Sequence, residues 1–203
     1  MIREEEARVI FEDLLDELED NGVSTPKVWL RVVEDDFNGM AAAYDPNSSV
    51  IKLSSGINRD GAEKILAHEI AHVLRLENSN LLTSKDLADL VDTANDIQLK
   101  NILRKLVSSF TILSRVWTNE DAVDDTIDQI DNIMEGLSHW NSLDKDGENA
   151  ETWKWISANY DKIYDSIDYY SVGGHDSEWF DKKAELEDIL DIKIPTTESR
   201  FTK

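Results

Sequence analysis

The hydrophobic pattern of this chain changes period twice, and that change constrains the fold more than any other feature. Residues 3–20 place Val9, Ile10, Leu14, Leu15 and Leu18 at helical spacing, with Asn21-Gly22 as the stop signal. After Pro26 the period becomes that of a strand, because Val28-Trp29-Leu30-Arg31-Val32-Val33 is rich in β-branched and aromatic residues. Asp35 to Gly39 reads as a turn, and Met40 to Tyr44 as a second short strand. Asp45-Pro46-Asn47-Ser48 is another turn, and Val50-Ile51-Lys52-Leu53 a third strand. Asn58 to Gly61 then opens a helix, with Asp60 and Glu63 in capping-box spacing and Leu66, Ile70, Val73 and Leu74 on its buried side. From about residue 84 to 170 the pattern is almost wholly helical, with segments near 84–117, 120–140 and 150–168. Asp144-Lys145-Asp146-Gly147 reads as a loop, and a last helix spans roughly 177–190 before Pro195. The expectation is an α+β fold: a small three-stranded, mainly antiparallel sheet against the first and second helices, followed by a large all-helical insertion that covers one side.

Composition narrows the chemistry. The chain has 203 residues, enough for one good core, and no cysteine. Disulfides, iron–sulfur clusters, thiolate metal sites and a cysteine nucleophile are therefore excluded together, and any metal must be held by His, Asp or Glu. The net charge is −22, from 43 acidic and 21 basic residues, so nonspecific binding to nucleic acid or anionic membrane is disfavoured. The N-terminal MIREEEARVIFEDLLDELED has neither a basic start nor an apolar core, so no signal peptide is expected. No apolar stretch is long enough for a membrane span. A cytoplasmic location is expected, and nothing in the composition excludes a phage-encoded or virion origin.

One constellation carries chemistry. Leu66-Ala67-His68-Glu69-Ile70-Ala71-His72-Val73-Leu74 contains the pattern H-E-x-x-H on a helix. Residues four apart lie one turn above each other, so His68 and His72 can face one ion, for which zinc is the natural choice. Glu69 projects to the same side, where it can act as general base toward a water. Two of the chain's four histidines fall inside this pattern. A catalytic zinc site takes a third protein ligand and leaves one position open. His175 is the leading candidate, since Val172-Gly173-Gly174-His175-Asp176-Ser177-Glu178-Trp179 delivers it from a glycine turn at a helix start. Asp96, 96 − 72 = 24 positions beyond His72, is the rival carboxylate, with Asp92 and Glu77 behind it. His139, late in a helix, reads as a dipole-interacting residue. Tyr164, Tyr169 and Tyr170 are weaker oxyanion candidates and read first as packing residues, as do Trp153, Trp155 and Ile156.

The run from Ala41-Ala42-Ala43-Tyr44-Asp45-Pro46 through Ile51-Lys52-Leu53 into His68-Glu69-Ile70-Ala71-His72 resembles the core of SprT-like metallopeptidases. Gly174-His175-Asp176-Ser177-Glu178-Trp179 is similar to the family's second motif, a Gly-His followed by an acidic–aromatic pair. The resemblance covers about residues 26–76 and 172–190. It implies a zincin-like core, zinc held by His68, His72 and His175, and Glu69 as base. The two motifs stand 175 − 72 = 103 positions apart, which makes residues 78–170 a helical insertion. The division expected is then 1–77 for the core with the metal helix, 78–170 for the insertion, and 171–203 for the Gly-His motif and closing helix. Without a cysteine zinc ribbon or basic surface, a role on DNA is not implied.

The function expected is a zinc-dependent metallopeptidase acting on a peptide or protein substrate, held in extended form on an exposed edge strand near Val50 to Leu53. Three alternatives stand beside it. One is a catalytically silent zincin-fold binding or assembly protein, meeting a protein partner through its helical region. Another is a gluzincin-type protease with Asp96 as third ligand. The last is a regulated form in which the insertion caps the site until a partner displaces it.

Overall fold

A computed structural model describes residues 1–25, 27–34, 41–77, 79, 81–116, 120–144 and 147–196. The expected turn at Asp35 to Gly39, the start of the second strand at Met40, and Lys145 and Asp146 of the later loop lie outside the described residues. The chain divides into two compact units: Met1–Ser79 with His175–Lys203, and Asn80–Gly174.

The first unit contains α1 (Glu4–Asp20), β1 (Trp29–Val33), β2 (Ala42–Asp45), β3 (Val50–Ser54), α2 (Arg59–Glu77) and α8 (Ser177–Leu190). α1 buries Ala7, Ile10, Phe11, Leu14 and Leu18. Val9, expected on that face, is 52% exposed, because the 3.6-residue period carries the stripe through 7, 10–11, 14 and 18 and leaves position 9 opposite.

The sheet is mixed, which corrects the expectation of a mainly antiparallel meander. Its order is β1-β3-β2, with β1 parallel and β2 antiparallel to β3. The short β2–β3 loop forces antiparallel pairing there, and Asp45 tightens it by accepting from the Asn47 amide at 3.1 Å. β1 takes the other side of β3 and runs in the same direction. That choice makes β3 the central strand, with Ile51 and Leu53 fully buried. Val50 to Leu53 is therefore not an edge, and among the described residues the edge strands are β1 and β2.

α2 lies at the middle of this unit and packs against α1, α8, β2 and β3. Residues from Gly61 to Arg75 are nearly all buried, as expected for a helix covered on most sides. Its start is capped by Asn58, whose Oδ1 accepts from the Gly61 amide at 2.7 Å, and not by the Asp60–Glu63 pair. Ile10, Leu14, Leu53, Leu66, Ile70, Trp179 and Leu186 belong to one apolar cluster in this unit.

The second unit is helical: α3 (Ser84–Thr93), α4 (Ile97–Val116), α5 (Glu120–Asp144), α6 (Ala150–Ala158) and α7 (Tyr160–Ser171). Thr83 and Asp86 form a capping box at α3. The segment expected as one helix over 84–117 breaks at Asn95 and Asp96. There the Asn149 side chain accepts from both backbone amides, at 2.9 and 3.2 Å. The 150–168 helix likewise divides at Asn159. No helix among the described residues is long and apolar enough to cross a membrane.

Candidate metal centre

α2 presents His68 and His72 one turn apart, and the chain re-enters the same unit at His175, immediately before α8. Gly173 and Gly174, at φ +64° and +76°, form the turn that ends α7 and leads into His175. A side chain at either position would strain that turn. The Nε2 atoms of His72 and His175 each stand 3.2 Å from Nε2 of His68. One ligand atom from each of the three rings lies within 4.8 Å of the others. Two nitrogens bound at roughly 2.0–2.1 Å in a tetrahedral shell stand about 3.3 Å apart, so the two short separations fit ligands of one metal ion.

The protonation states agree with that geometry. Nδ1 of His68 lies 2.7 Å from the Pro195 carbonyl oxygen, which can only accept. Nδ1 therefore carries the proton, and Nε2 turns its lone pair toward the other two rings. Burial pushes the His68 pKa down to about 4, against an opposing effect of the Pro195 bond. Burial likewise takes His175 down to about 4, and His72 well below the ordinary histidine range. Three neutral imidazoles at neutral pH form a donor set suited to zinc and its neighbours in the transition series.

The surroundings are protein. His68 is fully buried, His72 is 7% exposed and Glu69 only 1% exposed. Trp179, also fully buried, sets its ring 4.4 Å from His175, 4.9 Å from His68 and 5.2 Å from His72. Arg75, three residues after His72, is buried against Asp176. Its Nε and Nη2 donate to the carboxylate at 2.6–3.1 Å.

Of the residues named from the sequence, His68, His72 and His175 come together on one side of α2 with Glu69 beside them in the chain. Asp96 has another use: its Oδ1 accepts from the amides of Gln98 and Leu99 at 2.7 and 2.9 Å and caps α4. Asp92 is exposed on α3, and Glu77 ends α2, where its charge helps raise the pKa of Tyr44 behind the larger effect of burial. His139 is exposed on α5. Tyr169 and Tyr170 are buried, Tyr170 packing edge-on to Phe110, and Tyr164 packs on Tyr160. Trp153 and Ile156 are buried in the helical unit.

The sequence reading missed Arg75, the orienting carbonyl of Pro195 and the wall made by Trp179. Arg75 did leave a signal, since a lone cation within an otherwise apolar stretch of helix demands a counter-charge. A backbone carbonyl leaves none.

Comparison with known proteins gives one similarity. The chain is 30% identical over 105 residues to protease HtpX of Tolumonas auensis (strain DSM 9187 / NBRC 110442 / TA 4), covering 50% of this chain and 34% of that protein. The chain thus spans about a third of the length of the curated relative it matches. No family model matches, and no solved structure matches.

Proposed function

We propose that this chain is a zinc-dependent metallopeptidase with a zincin-like, SprT-like core, in which His68, His72 and His175 hold the metal and Glu69 is the general base. The observation that carries the reading is the convergence of three imidazole nitrogens, with Nε2 of His68 3.2 Å from Nε2 of both partners. Similarity over half of the chain to a protein named as a protease supports the hydrolytic part. Zinc held there would act as a Lewis acid and make a water more acidic. The chain's own residues supply the rest. Glu69, next to His68 and buried, takes the proton from the attacking water and returns it to the leaving amine. The low pKa values of His68 and His175 keep both rings neutral through the pH range in which a carboxylate base works.

Substrate recognition follows from the sheet order. β2 packs on α2 and, among the described residues, pairs on one side only, with β3. An extended peptide adding to the open side of Ala42–Asp45 would run as a fourth strand beside the metal helix.

Elemental analysis and peptide hydrolysis on the same preparations test the proposal. Wild type and Glu69→Gln should carry near-stoichiometric zinc, and His175→Ala, left with His68 and His72, should bind it measurably but more weakly, while Glu69→Gln loses about 10²–10⁴-fold in kcat. A wild-type protein that takes up no zinc after reconstitution would refute it.

A further inference from the structure

We infer that Arg75 and Asp176 are positioning residues for the third ligand, a clamp that fixes His175 to the helix carrying His68 and His72. The inference rests on the metal site proposed above. Its basis is the one charged side chain that α2 buries near the site besides Glu69. Arg75 is 7% exposed, three positions after His72 and seven after His68, so it shares their side of the helix. Its Nε donates to Oδ1 and Oδ2 of Asp176 at 3.1 and 3.0 Å, and Nη2 donates to Oδ2 at 2.6 Å. Nη1 pairs with Glu178 at 3.0 Å, but the Glu178 side chain is 67% exposed.

Asp176 is the residue after His175, and it is held twice. Beyond the Arg75 fork, its Oδ1 accepts from the Trp179 amide at 2.8 Å and caps α8. The fork is planar and rigid, so it fixes orientation as well as distance. On the other side His175 is preceded by Gly173 and Gly174, which have no side chains to restrain the approach. Asp176, held from both sides, therefore restrains where His175 stands. His68 has its own orienting contact at Pro195, and His72 is fixed by α2 itself. His175 is carried by a different element, and the Arg75–Asp176 pair ties that element to α2.

The test is zinc affinity, measured by competition with a chromogenic chelator, for Asp176→Asn and Arg75→Met in the wild-type and His175→Ala backgrounds. Asparagine keeps the helix cap and removes the charge. Loss of an outer-shell partner weakens metal binding by about 10–100-fold, and that is the change expected in the wild-type background. In the His175→Ala background the same substitutions should change affinity by less than about twofold, because the ligand they act through is gone. Cobalt-substituted Asp176→Asn should also show its visible absorption shifted toward that of His175→Ala. Glu178→Gln, touching the same guanidinium from an exposed position, should bind zinc like the wild type. Unchanged affinity in Asp176→Asn, or an equal loss in both backgrounds, would reduce the pair to a structural contact and overturn the inference alone. Absence of zinc binding in the wild type would overturn the metal site and the clamp with it. Asp176→Asn serves where Arg75→Met does not fold.

Discussion

Trp179 offers the sharpest check on the wall of the histidine cluster. Its indole is fully buried among three imidazoles, and among the described residues Nε1 meets no hydrogen-bond acceptor. Trp179→Phe keeps most of the packing and deletes that N–H. Two costs and one gain decide the outcome. Removing about 40 Å³ of side-chain volume costs on the order of 1 kcal/mol at roughly 24 cal/mol per Å³. Lost transfer free energy adds about 1 kcal/mol for some 40 Å² of apolar surface. Against these, a buried donor without a partner carries a desolvation penalty of about 1–3 kcal/mol, which the substitution removes. The terms nearly cancel, so Trp179→Phe should lie within about 1 kcal/mol of wild type, whereas Trp179→Ala should lose about 3–5 kcal/mol. Urea unfolding of the metal-free protein, followed by circular dichroism, measures both, with m unchanged between variants. A loss of about 3 kcal/mol or more for the phenylalanine variant would show that the N–H has an acceptor, and the balance drawn here would be wrong.

Two further outcomes follow from the same structure. The metal-free protein should lose stability as pH falls from about 6.5 to 4. The folded-state pKa of His68 is lowered by burial to about 4, so below the unfolded value the unfolded chain binds a proton that the folded chain refuses. The stabilisation is complete above about 6.5 and declines toward 4, by on the order of 3 kcal/mol for His68. His72 and His175, lowered by burial as well, add losses of the same sign, so His68→Leu should make this part of the urea-midpoint profile shallower without abolishing it, and an unchanged slope would refute the assignment. Asp96→Ala should destabilise by about 1 kcal/mol through loss of the α4 cap while leaving zinc content as in wild type; loss of zinc would return Asp96 to the ligand set.

Local rules made much of this chain legible. The i, i+4 spacing of His68 and His72 needs only a helix to set both rings on one side. The Gly173-Gly174 turn needs only positive φ, which other residues resist, and it sits where His175 enters. The strands at Trp29–Val33 and Val50–Ser54 and the helix at Ser177–Leu190 answer to alternation and period. The order of the strands does not. Whether β1 lies beside β2 or β3 is a contest between non-local pairings, with no residue whose identity settles it. That ambiguity turned the central strand, Val50 to Leu53, into an expected edge. The break at Asn95 and Asp96 was hidden for a similar reason, since the group that holds it, Asn149, lies 53 positions beyond Asp96.

The surroundings of the histidine cluster show where such reading stops. Arg75 stands in Val73-Leu74-Arg75-Leu76, and a guanidinium in so apolar a run is costly unless a carboxylate meets it. The need for a partner is therefore written locally. The partner is not: the chain holds 43 acidic residues, and the one that meets both Nε and Nη2 is 101 positions away. What distinguishes Asp176 is that it adjoins His175, and a pair that ties His175 to α2 adjoins one of the clustered histidines at each end. Arg75 meets the condition on α2 through His72, one turn earlier, and Asp176 meets it through the peptide bond to His175. A buried cation one turn past H-E-x-x-H thus narrows the search for its counter-charge to carboxylates beside candidate third ligands. In this chain Asp176 meets that condition next to His175.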